Sequence, residues 1–300
     1  MDRLASMEAF ARVVETSSFT AAARQLNLGQ PAVSKAVAQL ERRLGIRLLM
    51  RSTRRLMPTE AGQNFYERAR RAIEEANEAE LAARGVDKSL TGRLRVSTSV
   101  TFGRIHLVPL ITEFLSSHSN LSIDLELDDR TIDLIEEGID VGFRLGPLPG
   151  SSLTARKLVT KRRLVLAAHS YFERAGVPST PTDLVGHPAI IYTRDPGGSD
   201  TWSFRRGVSE TQINLSGRLR ISAAEGIRAA VLSGMGIAVS SHWQFAPELE
   251  SGTVRAVLTD WTLPPSDVWA VFPTGRMANA KARAFVSFVR TELEKHTAQQ

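Results

Sequence analysis

The 300-residue chain contains no cysteine, which removes disulfides, thiol nucleophiles and thiolate-bound zinc together and fits a reducing compartment. No apolar run approaches the ~18 residues a membrane-crossing helix needs, and the opening MDRLASMEAFARVVE is too polar for a secretory leader. Its histidines, His106, His118, His169, His187, His242 and His296, are scattered without an HxH or HExxH spacing, so no metal site is expected. Neither a G-x-S-x-G elbow nor a Walker loop occurs. The stretch LSGMGIAV at 232–239 has two glycines two apart. It reads as a helix end running into a strand, with Gly234 or Gly236 at positive φ, whereas a dinucleotide loop runs from strand into helix. No residues fit together as catalytic machinery and no cofactor is expected. The chain reads as a cytoplasmic binding protein rather than an enzyme.

What is present is size enough for several cores and a marked charge asymmetry. Hydrophobic residues make up 42% of the chain, which favours a multidomain organisation at this length. Residues 1–58 hold ten Lys or Arg against four Asp or Glu, a net of +6 that equals the excess of the whole chain. The remaining 242 residues balance at 28 basic and 28 acidic. A basic block on a neutral body is the footprint of a surface that meets phosphate.

Within that block the apolar residues Leu4, Met7, Phe10, Val13 and Val14 fall on one helical face. Ser18 or Thr20 caps a second helix with Ala22, Ala23 and Leu26 inward. A turn at 27–30 follows. Pro31 then sits in the first turn of a third helix, where its missing amide proton costs little. Val33, Val37, Leu40 and Leu44 form the buried stripe of that helix, leaving Gln30, Pro31, Ala32, Ser34, Lys35, Ala38 and Arg42 outside. Such a face suits a major groove: Gln pairs with adenine, Lys with guanine, Ser with phosphate or base, and Ala or Pro rests on a thymine methyl. Residues 46–57 read as a hairpin carrying Arg51, Arg54 and Arg55 toward the DNA backbone or a narrow minor groove.

The motifs Ala22-Ala23-x-x-Leu26, Pro31-Ala32-Val33-Ser34, Leu40-Glu41-x-x-Leu44-Gly45, Arg51-x-x-Arg54 and Thr59-Glu60-Ala61-Gly62 resemble the DNA-binding domain of LysR-type transcriptional regulators. The resemblance implies Gln30, Pro31, Ala32, Ser34 and Lys35 as base-reading or register-setting positions and Arg51, Arg54 and Arg55 as wing contacts. One departure is Gly29, where the family usually has a serine that caps the third helix. Glycine is a tolerable cap.

From Pro58 to about Arg84 a long helix is expected, since no glycine or proline follows Gly62 and Glu, Arg and Ala dominate. Phe65, Ala69, Ala72, Ala76, Ala79 and Ala83 alternate four and three apart, the seam of a dimerising coiled coil. At 1.5 Å per residue this linker spans roughly 39 Å. Residues 85–91 make a hinge.

Beyond Gly92 strands and helices alternate, which predicts an α/β domain. Strands are expected at 93–98, 121–127, 140–144, 164–168, 189–192, 212–216, 237–240 and 268–272, with helices at 102–117, 131–137, 223–233, 245–250 and 279–295. Trp202, Phe204 and Trp243 are read as packing residues. The resemblance extends over 92–295 to LysR-type effector domains and implies a two-lobed, periplasmic-binding-protein-like α/β clamshell of two open parallel sheets. Lobe I is expected at 92–162 and 266–300 and lobe II at 163–265, with crossovers near 161–165 and 262–267. The three expected domains are therefore a winged helix-turn-helix at 1–58, a linker helix and hinge at 59–91, and an effector-binding domain at 92–300.

Ligands of open sheets settle beyond the carboxyl ends of strands. Those ends carry Thr98, Ser99, Val100, Thr101 and Phe102 after the first strand, Asp128 after the second, Arg144 after the third, and Tyr192 and Thr193 in lobe II. A helix amino end among them would attract a carboxylate or similar anion. For Thr98 and Ser99 simple helix capping is an equal alternative, and Arg144 has an alternative partner in Asp128. The expected partners are double-stranded promoter DNA, a small-molecule effector of carboxylate or aromatic type, and further copies of the chain in a homodimer or homotetramer. Two rival readings are a solute-binding protein of similar fold and an enzyme with an appended DNA-binding head.

Overall fold

A computed structural model describes residues 2–51, 56–83, 90–148, 154–194, 200–273 and 278–298. The chain forms two compact units, Met1–Ser89 and Leu90–Gln300.

The first unit contains helices α1 (Arg3–Thr16), α2 (Phe19–Gln25) and α3 (Gln30–Leu44), the paired strands β1 (Leu49–Arg51) and β2 (Leu56–Pro58), and the long helix α4 (Glu60–Ala83). Phe10, Val13, Ala22, Val33, Ala36, Val37, Leu40 and Leu48 form its core, each nearly or wholly buried. Ser18 caps α2 by accepting from the Ala21 amide at 3.2 Å, and Gly45 ends α3 in the left-handed region at φ 70°. Leu44, expected in the buried stripe, is 37% exposed. Ala36 is buried as well; at 100° per residue Leu44 stays on the face of Val33, but it is the last residue of α3 and stands at the edge of the packed core.

The second unit is two-lobed. Strand β3 (Gly92–Thr98) leads into α5 (Val100–Phe102), a π turn (Gly103–Leu107) and α6 (Val108–Ser116), followed by β4 (Leu121–Leu127), β5 (Val141–Leu145) and β6 (Thr154–Lys161). Lobe II then supplies β7 (Arg163–Ala168), α7 (His169–Ala175), β8 (Ile190–Tyr192), β9 (Thr201–Arg206) and β10 (Ser209–Asn214). It continues with β11 (Leu219–Ile221), α8 (Ala224–Leu232), β12 (Ala238–Ser241), α9 (Ala246–Glu250) and β13 (Val254–Val257). The chain returns to lobe I with β14 (Ser266–Phe272) and α10 (Ala280–Ala298).

Lobe I carries a five-stranded sheet in the order β4-β3-β5-β14-β6. Strands β4 and β5 lie parallel to β3, and β14 runs antiparallel between β5 and β6. Its core joins Leu94, Val96, Phe143, Val268 and Ala270 of the sheet to Phe114 of α6 and Phe285 and Val289 of α10. Lobe II departs from the parallel sheet expected. Its central strand β7 is flanked by β12 and β13, both antiparallel, while β8 and β11 form a short parallel pair and β9 and β10 a hairpin. Alternation of apolar residues is the same in either direction, so the sequence pattern does not carry strand polarity.

The helix expected at 131–137 is also replaced, by turns. Asp133 accepts from the amides of Ile135 at 2.7 Å and Glu136 at 3.1 Å, a local bond that competes with helical pairing. Gly234, two residues past α8, takes φ 66°, which lets the chain reverse into β12. Among the described residues no helix is long and apolar enough to cross a membrane, and no group of His, Asp or Glu is placed to hold a metal ion.

Candidate nucleic-acid interface and ligand cleft

Helix α3 presents two different faces. Val33, Ala36, Val37 and Leu40 are buried, while Gln30, Pro31, Lys35, Ala38 and Arg42 are exposed and Ala32 and Ser34 half-buried. Lys35 makes no ion pair among the described residues, so its ammonium is available to a partner. Gly29 provides no side-chain cap, but its carbonyl accepts from the amides of Ala32 at 2.9 Å and Val33 at 3.3 Å. The backbone of Arg51 ends β1; the Arg51 side chain and the whole of Arg54 and Arg55 lie outside the described residues.

Glu41, on the same helix, stands in the Leu40-Glu41 motif but takes no role from the sequence alone. Its carboxylate accepts from the amides of Leu48 at 2.8 Å and Leu49 at 3.1 Å, which ties the start of the hairpin to α3. Thr59 completes the joint. Its hydroxyl donates to the Arg47 carbonyl at 2.8 Å and accepts from the Gly62 amide at 2.9 Å, capping α4. A methyl group at Gly62 would stand 2.0 Å from the Leu48 carbonyl oxygen, so only glycine lets α4 pass this close.

The expected coiled-coil seam is divided. Phe65 packs edge-on against Phe10 at 5.6 Å and Ala69 is buried, so these two positions belong to the core of their own head. Tyr66 donates to Glu15 at 3.1 Å, and Arg70 lies 3.8 Å from the same carboxylate. Burial, then the Glu15 charge, pushes the Tyr66 hydroxyl above its ordinary pKa. Farther along, Ala72 and Ala79 are exposed and Ala76 half-buried; the Ala83 side chain lies outside the described set. A four-and-three spacing marks an apolar stripe without saying which neighbour covers it.

In lobe I the carboxyl ends of β3, β4 and β5 converge. Ser97, buried on β3, accepts from Nη1 of Arg144 at 3.3 Å. The other terminal nitrogen of Arg144 is buried without a hydrogen-bond partner among the described residues. Burial pushes this guanidinium below its ordinary pKa, against the opposing charge of Asp128. A buried donor left without an acceptor costs about 1–3 kcal/mol, a cost that an anion would remove.

Asp128 is held by Arg130 rather than by Arg144, with contacts of 2.7 Å to Nη2, 2.9 Å to Nε and 2.7 Å to the backbone amide. The Arg130 hydrogen bonds pull the Asp128 carboxyl down to about 2, and the charge of Arg194 from lobe II acts in the same direction. Ser99 is half-buried at the start of α5, and its hydroxyl caps nothing. The Val100 amide donates to Asp129 at 3.0 Å. The helix end expected to hold an effector anion is therefore occupied by a carboxylate of the protein itself.

Three residues of the expected effector set are committed elsewhere. Thr98 is wholly buried and donates to the Phe143 carbonyl at 3.3 Å. Thr101 is buried and donates to Glu225 of lobe II at 3.2 Å. Phe102 lies in the lobe I core, edge-on to Trp243 at 5.0 Å. In lobe II Tyr192 is half-buried at the end of β8, and the Thr193 hydroxyl turns back to the Ile221 carbonyl at 3.3 Å. Trp202 and Phe204 are core residues of that lobe. Ser97 and Glu225 are polar groups that sequence reasoning missed. Their partners lie 47 and 124 residues away along the chain, beyond the reach of local spacing.

Comparison with known proteins places these geometries in context. Residues 4–63 match the model of the bacterial regulatory helix-turn-helix protein, lysR family, and residues 87–294 match that of the LysR substrate binding domain. An HTH-type transcriptional regulator of Xanthomonas campestris pv. campestris is 37% identical over 95% of this chain and 83% of its own length. The HTH-type transcriptional regulator CrgA of Neisseria meningitidis serogroup C is 33% identical over 95% of each. A solved structure of CrgA, a LysR-type transcriptional regulator from Neisseria meningitidis, superposes with a TM-score of 0.61 at 31% identity, covering 96% of this chain and 98% of that one.

Proposed function

The chain belongs to the LysR family of transcriptional regulators, and from that premise we propose that a small carboxylate taken up beside Arg144 repositions paired linker helices, and through them two reading heads, on promoter DNA. The helix-turn-helix domain is the DNA-binding part and the substrate-binding domain is the part that takes a small-molecule effector. In our reading the chain has a reading head at 1–58, a dimerising linker and hinge at 59–91 and an effector domain at 92–300. It acts in the cytoplasm as a homodimer or homotetramer and catalyses no reaction.

Gln30, Pro31, Ala32, Ser34 and Lys35 meet base edges, and Arg51, Arg54 and Arg55 neutralise the duplex backbone. The seam free for a second copy begins at Ala72 and runs through Ala76 and Ala79 toward Ala83, since Phe65 and Ala69 are already covered. In the cleft Ser99 and Arg144 contact the effector, with Asp128, Val100, Tyr192 and Thr193 around it, while Thr98, Thr101 and Phe102 hold the walls. Differential affinity of the effector for one closure of the lobes supplies the coupling energy.

The observation that carries the DNA-binding role is the outward face of α3, where Lys35, exposed and without an ion pair among the described residues, stands among small and polar side chains. A mobility shift on the protein's own upstream region tests it. The native chain is expected to retard that fragment, and the double variant Lys35→Ala with Arg54→Ala to lose at least ~100-fold in affinity. Unchanged binding by the double variant would overturn the assignment of this face. No shift by either protein would favour a solute-binding protein or an enzyme.

A further inference from the structure

The head exposes two thioethers side by side. Met50 on β1 and Met57 on β2 are direct cross-strand partners, and each is 55% exposed. Their neighbours Leu49 and Leu56 turn the other way and pack into the core of the head, so the alternation of the hairpin sets both methionines on its outer face. Opposite residues of an antiparallel pair stand ~4.5–5.5 Å apart at Cβ, which makes the two side chains one apolar patch.

The rest of the chain gives this patch its chemistry. Because there is no cysteine, a two-electron oxidant finds no thiolate, and the methionine thioethers are its most reactive sulfur targets. Of the six methionines, Met7 is 9% exposed within the head and Met235 is 53% exposed in lobe II, while Met1 and Met277 lie outside the described residues. Met50 and Met57 are therefore the exposed methionines of the head among the described residues. The hairpin that carries them is slight, with three residues in each strand, and is tied to α3 through the Leu48 and Leu49 amides on Glu41. Met50 directly precedes Arg51 along β1.

We propose that Met50 and Met57 form an oxidative modification site, at which a peroxide converts the paired thioethers to sulfoxides and thereby weakens the hold of the wing on DNA. In each step a sulfur lone pair attacks one oxygen of hydrogen peroxide and the O–O bond breaks. The hydroxide that leaves takes the proton of the transferred hydroxyl and departs as water, so sulfur is oxidised by two electrons and the peroxide is reduced. An apolar face becomes a polar one, with two S–O dipoles side by side. Each sulfoxide oxygen brings negative charge density to the strands that lead to the basic tip, where it opposes the phosphates that the arginines attract. The effect on DNA rests on the reading of this hairpin as a backbone contact; the oxidation itself does not.

The test treats the full-length protein with hydrogen peroxide, reads oxidation peptide by peptide in the mass spectrometer, and follows binding to the protein's own upstream region by fluorescence anisotropy. Met50 and Met57 are expected to gain oxygen at least ~10-fold faster than Met7, and the oxidised protein to bind DNA at least ~5-fold more weakly. Methionine sulfoxide reductases acting on both sulfoxide epimers should restore the affinity. Met50→Leu combined with Met57→Leu keeps the apolar face, and is expected to bind as the native chain does and to hold that affinity after peroxide. Met235→Leu, the control, is expected to stay as sensitive as the native chain. Oxidation of Met50 and Met57 no faster than that of Met7 would overturn the proposal, as would an equal loss of affinity in the treated leucine double variant. Full affinity of an oxidised native chain would overturn it too, while leaving the wing as a DNA contact. A native chain that binds no DNA before treatment would remove both.

Discussion

Arg104 of lobe I lies 2.8 Å from the carboxylate of Glu225, in the first turn of α8 in lobe II. The same carboxylate accepts the Thr101 hydroxyl at 3.2 Å and stands 3.7 Å from Arg228. Arg228 is 92% buried as a side chain, pairs with Glu248 at 2.5 Å and donates to the Gln244 carbonyl. One acidic group therefore joins the helix that follows β3 to a fixed charge network in the other lobe. Both partners of the 2.8 Å pair are about half exposed, so it adds under ~1 kcal/mol to stability. Its weight falls on how the lobes meet.

Glu225→Gln is accordingly expected to lower the melting temperature by no more than ~4 °C, since that is what about 1 kcal/mol produces in a domain of this size. Hydrogen exchange at the amides of 101–107 is expected to quicken clearly. Exchange at the native rate would mean that the contact does not restrain the lobes.

Glu41 gives the head a stronger dependence. Removing its carboxylate leaves the amides of Leu48 and Leu49 without their acceptor. Hydrogen bonds to charged groups contribute ~1.5–3 kcal/mol, so Glu41→Ala is expected to destabilise the head by about 2 kcal/mol in urea unfolding. Glu41→Gln, which keeps a carbonyl oxygen, should recover about half of that. A wild-type midpoint in Glu41→Ala would show that water replaces the carboxylate without loss.

Much of the first unit was legible because its signals are local. The Ser18 cap, Pro31 in the first turn of α3, Gly45 at its end and the Thr59 to Gly62 start of α4 each act within a few residues. The second unit was less legible. The lobe I edge strand TARKLVTK is too polar to declare itself, and in lobe II nothing in the alternation of β7, β12 or β13 states a direction. In the cleft Arg144 and Ser99 are expected from their places at strand ends. The bond from Val100 to Asp129 spans 29 residues and exists only once β3 and β4 lie side by side. Phe102, expected in the cleft, is buried in the lobe I core beside Trp243.

Acid titration distinguishes Asp128 from an ordinary surface carboxylate. Its folded pKa, about 2, lies below the usual 3.8 because Arg130 bonds the ionised form. A depressed carboxylate pKa contributes stability that is complete above the ordinary value and is lost as pH falls from about 4 through 2. Carboxyl carbon shifts followed by NMR should therefore show Asp128 still ionised at pH 3, and Arg130→Ala should return its midpoint toward 3.8. A midpoint near 3.8 in the native chain would mean the pair does not persist in solution.

DNA binding should weaken steeply with salt. About eight phosphate contacts per dimer correspond to a slope near −7 in log K against log salt. Fluorescence anisotropy between about 50 and 200 mM salt measures it directly. A flat response would remove the basic surface of residues 1–58 as the DNA contact.

The contacts of Phe65 with Phe10 and of Tyr66 with Glu15 leave α4 no joint where it enters the head. Its 24 residues extend about 36 Å, so the helix works as a lever arm. A swing of ~10° at the far end carries the opposite end about 6 Å, close to two base-pair steps of 3.4 Å. Under the proposed function, modest rotations at the far end of the helix would in this way be geared up into changes of footprint on the duplex.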